Sequence, residues 1–250
     1  MAVWMQAGLW GLAAGGALVL GALVAWFVQV PQRVVASVMA FGAGVLISAL
    51  AFDLVDEAET SGGLTATVLG FLVGAVVYVL ANVALAKRGA RHRKRSGDQQ
   101  PSEDEQVGSG SAIAVGALLD GIPESVVLGL SLLGGHGVGV PVLAAIFISN
   151  LPEGLSSAAG MKRSGRSARY VFGVWIGVAV ASGAAGLLGC LLLQGASAQL
   201  IAAITALAAG AILTMVADTM IPEAFERTHL YAGLIATLGF LTAFTIGRAG

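Results

Sequence analysis

The chain has 250 residues, of which 57% are hydrophobic and 11% charged, with a mean hydropathy of +0.88 and a formal net charge of -1. Soluble domains carry roughly 25% charged residues, so the composition excludes a water-coated globule; the net charge says nothing about nucleic acid, and no basic, aromatic-studded surface appears in the sequence. The single cysteine, Cys190, excludes an intrachain disulfide and a thiolate metal cluster.

Apolar runs of about 18 or more residues, each able to cross a hydrocarbon core of ~30 Å, recur along the whole length. The alternating polarity of a membrane barrel is absent. In chain order the runs predict eight transmembrane helices, at 4–28, 34–56, 64–86, 111–133, 138–161, 168–193, 198–221 and 229–248. The first is too long for a signal peptide and has no basic residues before it, which predicts a retained helix. Thirty-six glycines fit helices that approach closely through small residues. Short turns separate most spans, including 134–139, which holds His136. The exception is 87–110, which begins KRGARHRKR and runs on through SGDQQPSEDEQVGSGS. That composition predicts a flexible loop that cannot bury itself. The expected fold is all-α, a single transmembrane domain over 1–250.

Basic residues orient the bundle. With the N-terminus outside, the cytoplasmic connections hold Arg33, Lys87, Arg88, Arg91, Arg93, Lys94, Arg95, Lys162, Arg163, Arg166, Arg169 and Arg227. These are 12 of the 13 Lys and Arg, leaving Arg248 outside. Both termini are therefore expected to be external, with the loop in the cytoplasm and the chain in the cell's inner membrane.

A carboxylate at the bilayer centre costs roughly 2.5–3.5 kcal/mol on insertion scales. Asp120 and Glu124 fall near the middle of the fourth span, Asn150 and Glu153 near the middle of the fifth, and neither span contains Lys or Arg. Water, protons or a bound cation must offset the three acids. The two segments also repeat one another: Asp120-Gly121-Ile122-Pro123-Glu124-Ser125 aligns on its proline with Ser149-Asn150-Leu151-Pro152-Glu153-Gly154. Each proline frees a carbonyl four residues back, which is tolerated in lipid where the freed group lines a cavity or meets a partner. Asp120 and Glu124, like Ser149 and Glu153, are spaced i, i+4 and share a helix face. Oxygen ligands converging at mid-membrane predict a cation site. Asp53, Asp56, Glu57 and Glu59 at the outer end of the second span, and Asp218, Glu223 and Glu226 towards the inner end of the seventh, extend these acids into a track. The bland alternative is a set of protonated acids that hydrogen-bond helices together. His92 in the long loop, and His136 and His229 in turns, read as incidental.

With these residues in view, the chain resembles the ZIP (Zrt-, Irt-like) metal transporters. That family has eight helices, external termini, a variable cytoplasmic loop between helices three and four, and a Pro-Glu motif in each of helices four and five. Gly42 to Leu46 in the second span and Ala209 to Ala224 in the seventh carry the likeness further. The resemblance implies inward transport of divalent metal, zinc being the family default. It also implies metal contacts at Asp120, Glu124, Ser149, Asn150, Glu153 and Asp218. Asp120 stands where the family usually has His, Gly121 where it has Asn, and Ser125 where it has Gly; the helix-six glutamate has no counterpart. An all-oxygen donor set suits Mn²⁺ and Mg²⁺ as well as Zn²⁺. Expected partners are divalent metal ions and the lipid bilayer, with no cofactor, no nucleic acid and no enzymatic activity, and with a homodimer as one open assembly. The rival readings are a non-transporting membrane metal sensor or degenerate family member, and, further off, an intramembrane metal-dependent hydrolase.

Overall fold

The computed structural model describes residues 1–134 and 140–249; His136 lies outside them. Among the described residues there is no strand, and eight helices are long and apolar enough to span a membrane. We label them α1 (Val3–Phe27), α2 (Gln32–Gly62), α3 (Leu64–Ala90), α4 (Ser109–Ser131), α5 (Val140–Arg163), α6 (Ala168–Leu193), α7 (Ala198–Thr228) and α8 (Tyr231–Ala249). Arg248 near the end of α8 lies beside Asp53 and Asp56 of α2, and the connector between α3 and α4 lies beside Glu223 and Glu226 of α7, at the opposite end of the bundle.

Six spans lie within a few residues of the positions predicted from hydropathy. The other two, α2 and α7, run on to Gly62 and Thr228, making helices of 31 residues each, about 46 Å at 1.5 Å per residue. Hydropathy ends a span where charge begins, but Asp56, Glu57 and Glu59, and Glu223 and Glu226, continue the helix beyond the apolar stretch. Each of the two helices also holds a wide π-turn, at Leu50–Leu54 and Val216–Met220. Asp53 sits in the first turn and Asp218 in the second.

Glycines set the closest helix crossings. Gly154, directly after Glu153, faces the Leu18 backbone of α1, and Gly21 of α1 faces Leu151 in return. Gly74 and Gly210 pair α3 with α7 in the same reciprocal way, and Gly44 and Gly239 pair α2 with α8. A Cβ at any of these positions would overlap backbone. Without a hydrophobic drive between helices in lipid, such close contact supplies the packing energy. Helices α3 and α8 turn most of their surface outward, while α2, α4, α5 and α7 are the more buried spans.

The connector departs from its compositional expectation. Gly89, at φ +93, turns the chain back at the end of α3, a conformation that favours glycine. The following residues enter the bundle, burying Arg93, Lys94, Ser96 and Gln100. A segment of this charge finds no core of its own, and composition alone could not reveal that acids inside the bundle would receive it.

Candidate cation site

Asp120 and Glu124 on α4, and Glu153 on α5, lie midway along their helices, each 1–3% exposed. Pro123 and Pro152 sit within helices that run through them unbroken. The three carboxyl groups lie within one another's field, and the countercharge of Asp120 and Glu153 comes from the connector. Arg93 Nε donates to Asp120 Oδ2 and Nη2 to Oδ1, both at 2.9 Å. Two polar groups on one face of α3 complete the guanidinium's setting. Tyr78 Oη accepts from Arg93 Nη2 at 2.8 Å and donates to Asp120 Oδ1 at 2.5 Å, and Asn82 Oδ1 accepts from Nη1 at 2.7 Å.

Lys94 Nζ lies 2.8 Å from Glu153 Oε2 and 3.5 Å from Asp120 Oδ2. The first is an ion pair at hydrogen-bond distance. Glu124 is held least. Its Oε1 is buried with no hydrogen-bond partner among the described residues, and its carboxyl lies within the field of Glu153, Lys94 and Asp120. Three carboxyl groups against two cations leave at most one unit of negative charge. Three uncompensated acids would cost roughly 8–10 kcal/mol on insertion scales, so most of that penalty is offset from within the chain.

The helices are shaped for the segment. At Gly116, one turn before Asp120, a Cβ would lie 2.5 Å from Arg93 Cδ and 2.9 Å from Nε; at Gly160 on α5 it would overlap the Arg95 carbonyl and the Gln100 amide. Ser156 Oγ donates to the Lys94 carbonyl, and Gln100 Nε2 donates to the carbonyls of Arg93, Arg95 and Ser157 at 3.0, 3.0 and 3.1 Å. A second tier lies nearer the connector face. Glu223 Oε1 accepts from Ser96 N and Oγ at 3.0 and 2.6 Å and from Ser156 Oγ at 3.1 Å, while Arg95 pairs with Glu223 and Glu226. The far end of the connector is pinned by Glu103 to Arg166 and to the Gly108 and Gly110 amides. These contacts hold the Glu103 carboxyl well down, to about 2.

Of the other expected ligands, Ser149 Oγ donates back to Ile146 O on its own helix and Asn150 Nδ2 donates to Ala14 O on α1, bonds that use their hydrogens and leave the oxygen lone pairs. Asp218 is exposed and lines a cavity of about 370 Å³ with Asn82, His92, Lys94 and Thr219, open towards the connector face. His92 Nδ1 meets Gln99 O at 3.1 Å within the connector. Asp53 and Asp56 lie beside Arg248 at the opposite face. Among the described residues, no three His, Cys, Asp or Glu side chains come together closely enough to cage a metal ion.

The expectation that water, protons or a bound cation would offset the acids missed Arg93 and Lys94, and with them Tyr78, Asn82, Ser156 and Gly160. One signal was present: Tyr78 and Asn82 are an i, i+4 polar pair in an otherwise apolar span. The basic run was explained by orientation alone, which hid its other use. No protein-family model and no curated protein sequence matches the chain.

Proposed function

We propose that the protein is a ZIP-like carrier that moves a divalent metal ion inwards across the cell membrane, with Asp120, Glu124 and Glu153 as its central ligands. One observation carries this reading. Three buried carboxylates at mid-span draw their countercharge from a connector and none of it from the spans, so the charge can be withdrawn while the helices stay in place. Withdrawal would leave an acidic oxygen site in a poor solvent for ions, and such a site takes up another cation or a proton. Oxygen donors favour hard dications such as Mn²⁺ and accept Zn²⁺. The partnerless Glu124 oxygen is a ready first ligand.

Purified protein in proteoliposomes tests the proposal. Wild-type vesicles are expected to take up Mn²⁺ or Zn²⁺ above the empty-vesicle rate, and Glu124→Gln to lower that rate to less than about half, since intramembrane acids are functional by default. Glu124→Gln is preferred to a Glu153 variant because Glu153 also holds Lys94. Flux that survives Glu124→Gln at matched folded protein would exclude the central site.

A second reading is a non-transporting membrane protein in which the ion pairs are permanent. The several hydrogen bonds holding Arg93 favour it. It requires that neither metal binding nor flux occurs in the wild type or in any variant lacking Lys94.

A further inference from the structure

We infer that Arg93 and Lys94 are a tethered occupant of the cation site, and that a divalent metal ion and this pair exchange with one another, two positive charges for two. The inference rests on the metal-carrier reading and adds a regulation to it: metal loading expels the segment 91–96 towards the connector face, and the seated segment holds the site closed.

Four observations carry it. The pair brings the charge of one dication to Asp120 and Glu153, within whose field Glu124 lies, so the exchange leaves the net charge of the buried site unchanged. That matters because a change of net charge in the bundle interior is the expensive step. The seat is built, with Gly116 making room for the Arg93 stem and Gly160 for the segment's backbone. The seat is incomplete at one point, where Glu124 Oε1 is buried within the field of Lys94 without a hydrogen bond. A metal ion would engage that oxygen; the ammonium does not. Finally, the way out exists, because the cavity lined by Asp218, His92 and Thr219 already reaches Lys94.

The second tier shapes the response. Arg95 and Ser96 hold Glu223 and Glu226 outside the central carboxylates. Withdrawal of Lys94 strains these contacts through the backbone between them. The chain from central site to connector surface is thus a few residues long and needs no distant relay.

Trypsin reads the exchange directly. In the seated state the bonds after Arg93 and Lys94 are buried, while Arg91 is exposed and serves as the internal control. Purified full-length protein in detergent is titrated with Mn²⁺, metal binding is followed by calorimetry, and cleavage after Arg93 and Lys94 is followed by mass spectrometry against cleavage after Arg91. The expected result is cleavage at 93 and 94 that rises with metal at the midpoint of binding. In Lys94→Gln, Mn²⁺ should bind about tenfold more tightly if the vacated site is populated about one part in ten in the wild type. Ser156→Ala, which loosens the seat without touching the three central carboxylates, should shift binding the same way and covers the case in which Lys94→Gln does not fold. Binding to Lys94→Gln with none to the wild type also supports the exchange. Metal binding to the wild type with cleavage at 93 and 94 unchanged would overturn the exchange and leave the carrier reading standing. Absence of Mn²⁺ binding in the wild type and in both variants would overturn the carrier reading, and the exchange with it.

Discussion

Arg93 meets Asp120 side-on, with Nε on one carboxylate oxygen and Nη2 on the other, each at 2.9 Å. One partner sits on a connector and the other at the middle of a transmembrane helix, and both are 2% exposed. A buried pair of this kind is hard to break from one side, because removing one partner strands the other in a poor dielectric.

Arg93→Ala is therefore expected to destabilise the folded protein by about 3–5 kcal/mol. Arg93→Lys should recover little, since a point-like ammonium cannot grip both Asp120 oxygens and Asn82 at once. The double change Arg93→Met with Asp120→Leu should recover most of the loss, because no charge is then left unpaired. Chemical unfolding of the detergent-solubilised variants measures all three. Losses that simply add in the double variant would mean that the two residues are not coupled.

Gly116 provides a test that leaves every charge in place. A valine there would occupy the space of the Arg93 Cδ and Nε, and overpacking of this kind costs typically 1–3 kcal/mol. The cheaper response is for the arginine stem to leave. Gly116→Val should raise tryptic cleavage after Arg93 with the helices intact by circular dichroism, whereas the same change at Gly173, which has open space around it, should do neither. Protection of Arg93 in Gly116→Val would show that the stem does not depend on this groove.

Much of this architecture was legible because lipid imposes a simple rule: a span must be long and apolar. Hydropathy located the eight helices, and the charges at 120, 124 and 153 stood out against it. It misjudged the ends of α2 and α7, where acidic residues continue a helix beyond its apolar stretch. Ser149 and Asn150 were grouped with the ligands from their place in a repeated motif, whereas the partners of their hydrogens, Ile146 O and Ala14 O, are set by packing that the motif does not show. The seating of 93–96 was the least legible. Seen along the chain, KRGARHRKR is a solvated run next to a membrane. Only the folded bundle brings it within reach of Asp120 and Glu153, whose need for countercharge was visible while its source was not.

The outer latch of the connector should respond to acid alone. Glu103 is ionised down to about 2 because Arg166 and two backbone amides bind its charged form. A depressed carboxyl stabilises at pH above its ordinary value of about 4.3 and loses that contribution as pH falls towards the folded value. Pepsin cleavage within 101–107 should therefore rise between about pH 4.5 and pH 2, and Glu103→Gln should remove that rise by being already open. A wild-type profile equal to that of Glu103→Gln across this window would sink the assignment.

The last expectation concerns the choice of metal at residue 120. In the wild type all the central donors are oxygens, and Asp120 divides its two between Arg93, Tyr78 and Lys94. A histidine there changes two things at once. A neutral imidazole has at most one acceptor nitrogen, so it cannot receive both guanidinium donors, and the hold on Arg93 weakens. It also replaces a hard oxygen donor by a nitrogen that suits Zn²⁺ better than Mn²⁺. The two effects separate by metal. A loosened segment favours every dication equally, whereas a nitrogen ligand favours zinc alone. Asp120→His should therefore bind both metals more tightly than wild type, with the ratio of Zn²⁺ to Mn²⁺ affinity raised by about tenfold, the factor that 1.4 kcal/mol of preference represents. Competition calorimetry on purified protein reads both quantities. A general gain with an unchanged ratio would mean that residue 120 holds the segment without touching metal, and a raised ratio with no general gain would mean that it is a ligand whose grip on Arg93 does not limit binding.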